Sequence, residues 1–353
     1  MDSSRITPID LRILHALQIY PRASWALLGE ALGISPATVA RRWARMKETG
    51  LAWTSAYPSR VRDGAADIAG AYVFASCAPG TALETASALA QHPEALSVEL
   101  TVGERDLFIT IAAPNRVALG EYLLGPLSTV PGLLSFDTTL LARLHLEGSQ
   151  WRLRALPPDI AHNLRAAAGR HERVPPRRPA DEVDQQVLDV LGEDGRASYA
   201  VIAAACGISE SMARRRTESL LASGGITVRC DVAWEIAGWP VSTTLAARVP
   251  PERLPETVRA FTVLPEARLV ASCVGVADLL VSLWLPSVQD IPRMAAAIAG
   301  RFPDTETRRW LTGVRAVKRV GRLLDAQGRA TGWVAPFQPA APPPQEEMNG
   351  RAG

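Results

Sequence analysis

The sequence predicts an α+β protein in which two winged/helix-turn-helix all-α domains alternate with two ferredoxin-like β-α-β-β-α-β regulatory domains. Three observations predict it. Residues 22–35 (RASWALLGEALGIS) and 196–209 (RASYAVIAAACGIS) share eight of fourteen positions at a constant offset of 174, which also pairs Asp10 with Asp184, Arg41 with Arg215 and Gly50 with Gly224. Farther on, VGERDL (102–107) returns as VGVADL (274–279) at an offset of 172, and Pro93, Pro114 and Pro131 return as Pro265, Pro286 and Pro303. A period this long far exceeds the roughly 20–50 residues of a solenoid repeat, so a whole two-domain unit is duplicated. Finally, apolar residues recur at helical spacing where each unit opens and alternate where it continues.

The first unit opens with ITPIDLRILHALQ. Thr7 suits an N-cap, Pro8 the first helical position and Asp10 the positive end of the helix dipole, while Ile9, Ile13, Leu14 and Leu17 form one apolar face. Ser24 caps a second helix ended by Gly33, and Ser35-Pro36 starts a third that Gly50 stops. Three short helices with a tight glycine turn between the second and third form a helix-turn-helix. The second unit repeats them near 182–193, 198–205 and 209–222. Each helical segment is followed by another rhythm: strand GAYVFAS, helix TALETASALAQH, strands ALSVELTV and DLFITIAA, a helix near 116–129 and strand LLSFDTTLLARLHL. The second copy runs STTLAARV, ERLPETVRAFTVL, ARLVASCVG, DLLVSLWLP, VQDIPRMAAAIAGR and TETRRWLTGVRAVK.

The expected domains are therefore a helix-turn-helix over 1–60, a regulatory domain over 66–147, a linker over 148–180, a second helix-turn-helix over 181–232 and a second regulatory domain over 238–320. The linker is expected to be partly ordered, with a short helical piece punctuated by Pro157-Pro158 and Pro175-Pro176, and the Pro/Gly/Ala-rich segment 328–353 is expected to be a disordered tail. A ferredoxin-like sheet with both helices on one face leaves the other bare, so the two sheets are expected to pack face to face.

Composition excludes more than it selects. The net charge of +2 gives no bulk argument for nucleic acid, so only local clustering can. Lys47 and Lys318 are the only lysines among 38 basic residues, which lowers the weight of any single arginine. The four cysteines (Cys77, Cys206, Cys230, Cys273) form no Cys-x-x-Cys pair and the five histidines are scattered, so neither a metal nor another cofactor is expected. No Ser/His/Asp or Cys/His constellation, Walker loop or dinucleotide glycine pattern gives a ground for catalysis, so the chain is not expected to be an enzyme. With neither an amino-terminal targeting pattern nor a run of about 18 apolar residues, the expectation is a cytoplasmic protein with no membrane partner.

Two clusters could carry function. The third helix of a helix-turn-helix enters the major groove with its amino-terminal half toward base edges. Here it offers Ser35, Thr38, Arg41, Arg42 and Arg45 in the first copy, and Ser209, Ser211, Arg214, Arg215 and Arg216 in the second, where Glu210 would repel phosphate. The return of Arg41-Arg42 as Arg215-Arg216 behind the same Gly-Ile-Ser turn favours double-stranded DNA over a merely solvated arginine face. The second cluster is the pair of turns joining the central strands, Gly103, Glu104, Arg105 and Asp106 in one copy and Gly275 with Asp278 in the other. Each is a tight β-turn and a candidate effector grip at the regulatory interface, with Asp106 or Asp278 accepting an amino group. Val276 and Ala277 replace the charged pair in the second copy, so the two cannot bind equally. The nine tryptophans read as core or interface anchors.

The run Asp10…Ile13-Leu14…Leu17, Arg22-Ala23-Ser24, Leu28, Leu32-Gly33-Ile34-Ser35, Val39, Arg41-Arg42, Met46, Gly50-Leu51, with the Gly103…Asp106-Leu107 turn, resembles the Lrp/AsnC (feast/famine) family over nearly all of 5–147 and 181–318, as two fused copies. The resemblance implies a sequence-specific DNA-binding transcriptional regulator, responsive to an amino acid or other small metabolite and self-associating through its regulatory domains. That family is usually a single half that dimerises, whereas this chain supplies both halves. An intramolecular pseudo-dimer reading an imperfect palindrome is the expectation. Siroheme decarboxylases resemble the same family and provide an enzymatic alternative. Their marker, a His followed by a Tyr-Asn-x-Trp-Phe-like stretch on the third regulatory strand, is replaced here by GERDLFITI and GVADLLVSLW. A metabolite sensor with one inactive DNA-binding head is a third reading.

Overall fold

A computed structural model describes residues 5–58, 68–169 and 181–336. The first head is built from α1 (Pro8–Ile19), α2 (Trp25–Leu32) and α3 (Pro36–Glu48). Thr7 and Asp10 form a reciprocal capping box on α1, Ser24 and Ser35 cap α2 and α3, and Gly33 takes the left-handed conformation (φ 68°) that a side chain disfavours. Ile13, Leu14, Leu17, Leu28, Val39 and Met46 are wholly buried between the three helices. The second head repeats this with α7 (Glu182–Glu193), α8 (Tyr199–Cys206) and α9 (Glu210–Ala222).

The heads are not all-α, which corrects one expectation. Each third helix runs into a strand, β1 (Ala52–Pro58) and β6 (Ile226–Val232), and the two pair antiparallel with each other. Ser55 lies opposite Arg229, its own equivalent at the offset of 174, so a pseudo-two-fold axis passes through the centre of this ribbon. Alternation in AWTSAYP and ITVRCDV is weak because both faces of the ribbon are largely buried.

The regulatory unit of the first half comprises β2 (Ala69–Cys77), α4 (Ala82–Leu89), β3 (Ala95–Val102), β4 (Leu107–Ala113), α5 (Arg116–Leu124) and β5 (Leu133–Leu146). The second comprises β7 (Val241–Arg248), α10 (Leu254–Thr262), β8 (Ala267–Val274), β9 (Leu279–Leu285), α11 (Asp290–Arg301) and β10 (Glu306–Arg319). Both have the strand order of a ferredoxin-like sheet, β5-β2-β4-β3 and β10-β7-β9-β8.

The two sheets do not remain separate layers. They join edge to edge, β5 to β8 and β10 to β3, into one closed eight-stranded ring. The 14-residue strands β5 and β10 make this possible: one part of each pairs within its own sheet and the rest with the other half. Closure removes the free edges that two open sheets would expose. Tyr72, Phe74, Phe108, Ala246, Cys273, Leu280 and Leu311, drawn from both halves, fill the interior. The helices cover the outside over two further cores.

The tail expectation needs a second correction, and the helical piece of the linker packs on the first head. Residues 149–169 lie against the first head, and α6 (Pro158–Ala168) buries Ala161 and Leu164 in its core. Leu153 N–H donates to Gln18 Oε1 at 2.9 Å and Leu156 N–H to His15 Nδ1 at 3.0 Å. Beyond β10 the chain forms β11 (Arg322–Leu324) and β12 (Ala330–Trp333), so the segment from 328 begins as a strand. Ala330 N–H donates to the Gly50 carbonyl, stitching this strand to the end of α3. Residues 337–353, Pro175-Pro176 and His171 lie outside the described residues.

Candidate functional site

The candidate DNA-facing helices are α3 and α9, and their arginines divide into two groups. Arg42 Nη1 donates to Asp10 Oδ1 at 3.0 Å, and Arg45 Nη2 to Asp10 Oδ2 at 2.7 Å. Asp10 is fully buried at the start of α1, where it also accepts from the Thr7 amide and hydroxyl. Burial pushes its pKa up, but Thr7, Arg42 and Arg45 outweigh that and hold it below the usual carboxylate range. The second head repeats the clamp: Arg216 Nη1 donates to Asp181 Oδ2 at 2.9 Å and Asp184 Oδ1 at 3.2 Å. The paired acid and arginine at offset 174 thus lock each third helix to its own first helix.

Arg41 and Arg215 are left pointing outward at equivalent positions, exposed and without an ion pair among the described residues. Arg214 is exposed and its Nε donates to Glu218 at 2.8 Å. The hydroxyls of Ser35 and Ser209 accept from the Thr38 and Met212 amides, and each also bonds a neighbouring hydroxyl, Thr38 or Ser211. The four hydroxyl residues therefore order the helix starts. The two faces differ in charge: α3 carries four basic residues against one acidic, α9 three against two.

Sequence reasoning missed what the best-repeated segment does. Arg22 Nη1 and Nη2 donate to the carbonyls of Gly195 and Ala197 at 2.7 and 3.1 Å, and Arg196 returns the contact to Pro21 and Ala23. Arg196 lies 3.9 Å above the Trp25 ring and Arg22 5.5 Å above Tyr199, the equivalent of Trp25. Burial and the neighbouring Arg22 push the Arg196 pKa down to about 10. RAS is repeated because each copy binds the other across the axis, a reason that no single-copy reading could supply. One link lacks a counterpart. Lys47 Nζ at the end of α3 meets Asp194 Oδ2 at 2.6 Å across the seam, whereas its equivalent in α9 is Leu221.

The two turns proposed to grip an effector lie at the seams between the halves. Gly103 approaches Trp310 and Leu311 of β10, and Gly275 approaches Thr138 and Thr139 of β5. The Asp106 carboxylate accepts from the Cys77 amide at 2.8 Å, and Asp278 accepts from Arg248 Nη1 at 2.6 Å and, more weakly, from the Val249 amide at 3.4 Å. These two carboxylates finish the end of the adjoining strand. Arg105 donates to Ser76 and to Asp137, and Arg309 of the other half reaches the same Asp137 oxygen at 2.6 Å. Hydrogen bonding from Arg309 dominates, with Arg105 adding to it, and keeps Asp137 ionised below its ordinary range. Glu104 is exposed, 3.7 Å from Arg309.

Among the described residues, no group of three His, Cys, Asp or Glu side chains could hold a metal ion, and no helix is long and apolar enough to cross a membrane.

The family model for the AsnC-type helix-turn-helix domain matches twice, over residues 6–47 and 181–221. An uncharacterized HTH-type transcriptional regulator of Pyrococcus furiosus is 29% identical over 131 residues, 36% of this chain and 88% of the relative. The HTH-type transcriptional regulator LysM of Saccharolobus solfataricus is 26% identical over 113 residues, 32% of this chain and 79% of that protein. Among solved structures, the siroheme decarboxylase NirDL matches 89% of this chain and 93% of its own at a TM-score of 0.57 and 13% identity, a likeness of fold. Both heads are AsnC-type helix-turn-helix domains, and with the offset running through the units that follow them the chain is a tandem duplication similar to HTH-type transcriptional regulators.

Proposed function

We propose that this protein is a sequence-specific DNA-binding transcriptional regulator of the cytoplasm, working as an intramolecular pseudo-dimer that reads an imperfect palindrome. The observation that carries the reading is the pair Arg41 and Arg215, exposed at equivalent positions of two helix-turn-helix heads that the Arg22–Arg196 seam holds together. Ser35, Thr38, Ser209 and Ser211 set the helix starts, and Arg42, Arg45, Arg214 and Arg216 add cationic charge beside them. A well-placed arginine–guanine contact discriminates by about 1–3 kcal/mol. Self-association beyond the pseudo-dimer would use the outer regulatory surfaces, and Gly103, Glu104, Arg105, Asp106, Gly275 and Asp278 are the proposed effector contacts at the seams.

The test is selection of bound fragments from the source genome by the purified protein at near-physiological salt. An enriched imperfect palindrome, lost when Arg41 becomes Ala, supports the reading. Arg42→Ala is a poor probe, since it also breaks the clamp on Asp10. No enrichment refutes it.

A second reading is favoured by one observation, the fold likeness to NirDL along nearly the whole chain; that protein has also been solved with an iron-uroporphyrin III analogue. An enzyme on this scaffold would purify with, or take up, a tetrapyrrole. Absorbance in the Soret region of the purified and reconstituted protein decides between the two.

A further inference from the structure

The closed ring holds a cavity of about 220 Å³ at the end next to the β1–β6 ribbon. It lies on the pseudo-two-fold axis, because equivalent residues of the two halves line it together: Gly70 with Ser242, and Thr110 with Ser282. In a true homodimer a cavity on the axis would be symmetric. Here it is strongly polarised. Leu96 of the first half is replaced in the second by Arg268, Ala112 by Trp284 and Glu147 by Arg319. The first half contributes mainly an apolar wall, the second a basic one.

The basic wall is short of anions. Arg229 Nε and Arg268 Nη2 share the single buried carboxylate of Asp231 at 2.6 and 3.0 Å. Arg319 makes no ion pair among the described residues, and its Nε is buried without a hydrogen-bond partner. Its guanidinium lies 4.1 Å from the ring centre of Trp234, and that of Arg268 lies 3.8 Å from the ring centre of Trp284. Burial, with Arg229 and Arg319 adding to it, pushes the Arg268 pKa down to about 9 despite Asp231. Two acids of the first half also line the space. Glu147 already accepts from the Tyr57 and Ser149 hydroxyls, and Glu99 of β3, opposite Ala316 in the register, acts on Arg319 through space, as do Asp231 and Glu235.

We propose that this cavity binds a compact monoanionic carboxylate with an apolar body, its carboxylate on Arg319 beside Arg268 and its body against the first-half wall. The volume lies below the roughly 300–1,000 Å³ of drug-sized pockets, which fits a small metabolite and excludes a macrocycle held wholly inside. The site also reaches the heads. Tyr57 and Arg229, both lining it, sit on β1 and β6, the strands that continue directly from α3 and α9. A ligand there therefore has different contacts in different settings of the ribbon, which is the requirement for coupling it to DNA affinity. The coupling rests on the DNA-binding reading; the binding does not.

The experiment is isothermal titration calorimetry of the full chain with phenylacetate and its neutral isostere phenylacetamide. Saturable binding of the acid is expected, with the amide about tenfold weaker or worse. Arg319→Met, which keeps the apolar stem on the tryptophans, should weaken the acid at least as much while leaving thermal unfolding unchanged. Ala112→Leu, filling the apolar wall, should abolish binding of both. Equal binding of acid and amide overturns the proposal, as do no binding by the acid and full binding by a folded Arg319→Met. The coupling is read by retardation of a genome-selected DNA fragment with and without saturating phenylacetate. An acid that binds but leaves DNA affinity unchanged overturns the coupling alone. A protein that binds the acid and no DNA keeps the site and refutes the regulator.

Discussion

Replacing Arg41 and Arg215 by Ala, singly and together, tests whether both heads grip one duplex at once. Each side chain is exposed and outside its head's internal clamp, so either change should leave the fold intact. A cation neutralising one phosphate contributes about 0.9 to the slope of log affinity against log salt. Losing one contact should therefore shrink the affinity ratio between 50 and 200 mM salt by about 3.5-fold, and losing two by about 12-fold. The surroundings are unequal. Glu210 occupies the first position of α9, where α3 has Pro36, and Glu218 already pairs with Arg214. The second head thus begins closer to neutral, and Glu210→Gln should strengthen binding and steepen the slope. The assay is fluorescence anisotropy of a labelled operator fragment over a salt series. If Arg215→Ala leaves both affinity and slope untouched while Arg41→Ala changes them, the second head is a structural partner only. If neither changes the slope, the assignment of α3 and α9 as DNA-facing helices is wrong.

Three further outcomes follow from the geometry. Gly50→Ala should cost about 2–4 kcal/mol, because φ is 68° and the new Cβ would stand 2.4 Å from the Ala330 carbonyl oxygen. Gly33→Ala, with the same φ but open space around it, should cost only about 1–2 kcal/mol in the same urea titration. Burial, then Arg152, Arg165 and Arg154, push the His15 pKa down to about 4, so the folded state keeps this ring neutral where the unfolded chain protonates it at 6.5. The stability it confers is complete above pH 6.5 and is lost as pH falls toward 4, by about 2 kcal/mol between pH 7.5 and 5; His15→Gln should flatten that dependence. Arg196→Met removes two guanidinium–carbonyl bonds and the stack on Trp25 and should cost about 2–3 kcal/mol, seen as earlier thermal unfolding with weakened operator binding. Unchanged unfolding would mean that the seam does not hold the heads.

The helices and most strands were legible because each has a local cause: Thr7 with Asp10 for a cap, Gly33 for a turn, alternation in ALSVELTV. What was not legible depends on the second copy. AWTSAYP lacks a clean alternation because its partner strand and both heads cover it, and ATGW has no strand pattern of its own. Closure of the ring was hidden for the same reason: LLSFDTTLLARLHL reads as one long strand, and nothing in it says that its first part belongs to β2 and its last to β8. Among the candidate site residues, Arg41 and Arg42 looked alike. Only the buried Asp10 distinguishes the clamping arginine from the outward one. The turn aspartates also bond strand ends, Asp106 to the Cys77 amide and Asp278 to the Val249 amide, a contact that their place in a turn did not show.

Duplication within one chain divides these residues by the constraint they carry. Arg22 and Arg196 must match, because each supports the other across the axis. Asp10 and Asp184 must match, because each closes its own head. Residues on the axis are freed from matching, since one polypeptide can place different side chains on its two sides. Ser55 faces Arg229, Leu96 corresponds to Arg268 and Glu147 to Arg319, and all three pairs fall at the ribbon or at the cavity beneath it. A homodimer could not place different side chains on the two sides of its axis. At the cavity the unmatched guanidinium groups are buried and stacked on tryptophan, so the asymmetry there leaves positive charge that an asymmetric anionic ligand would neutralise.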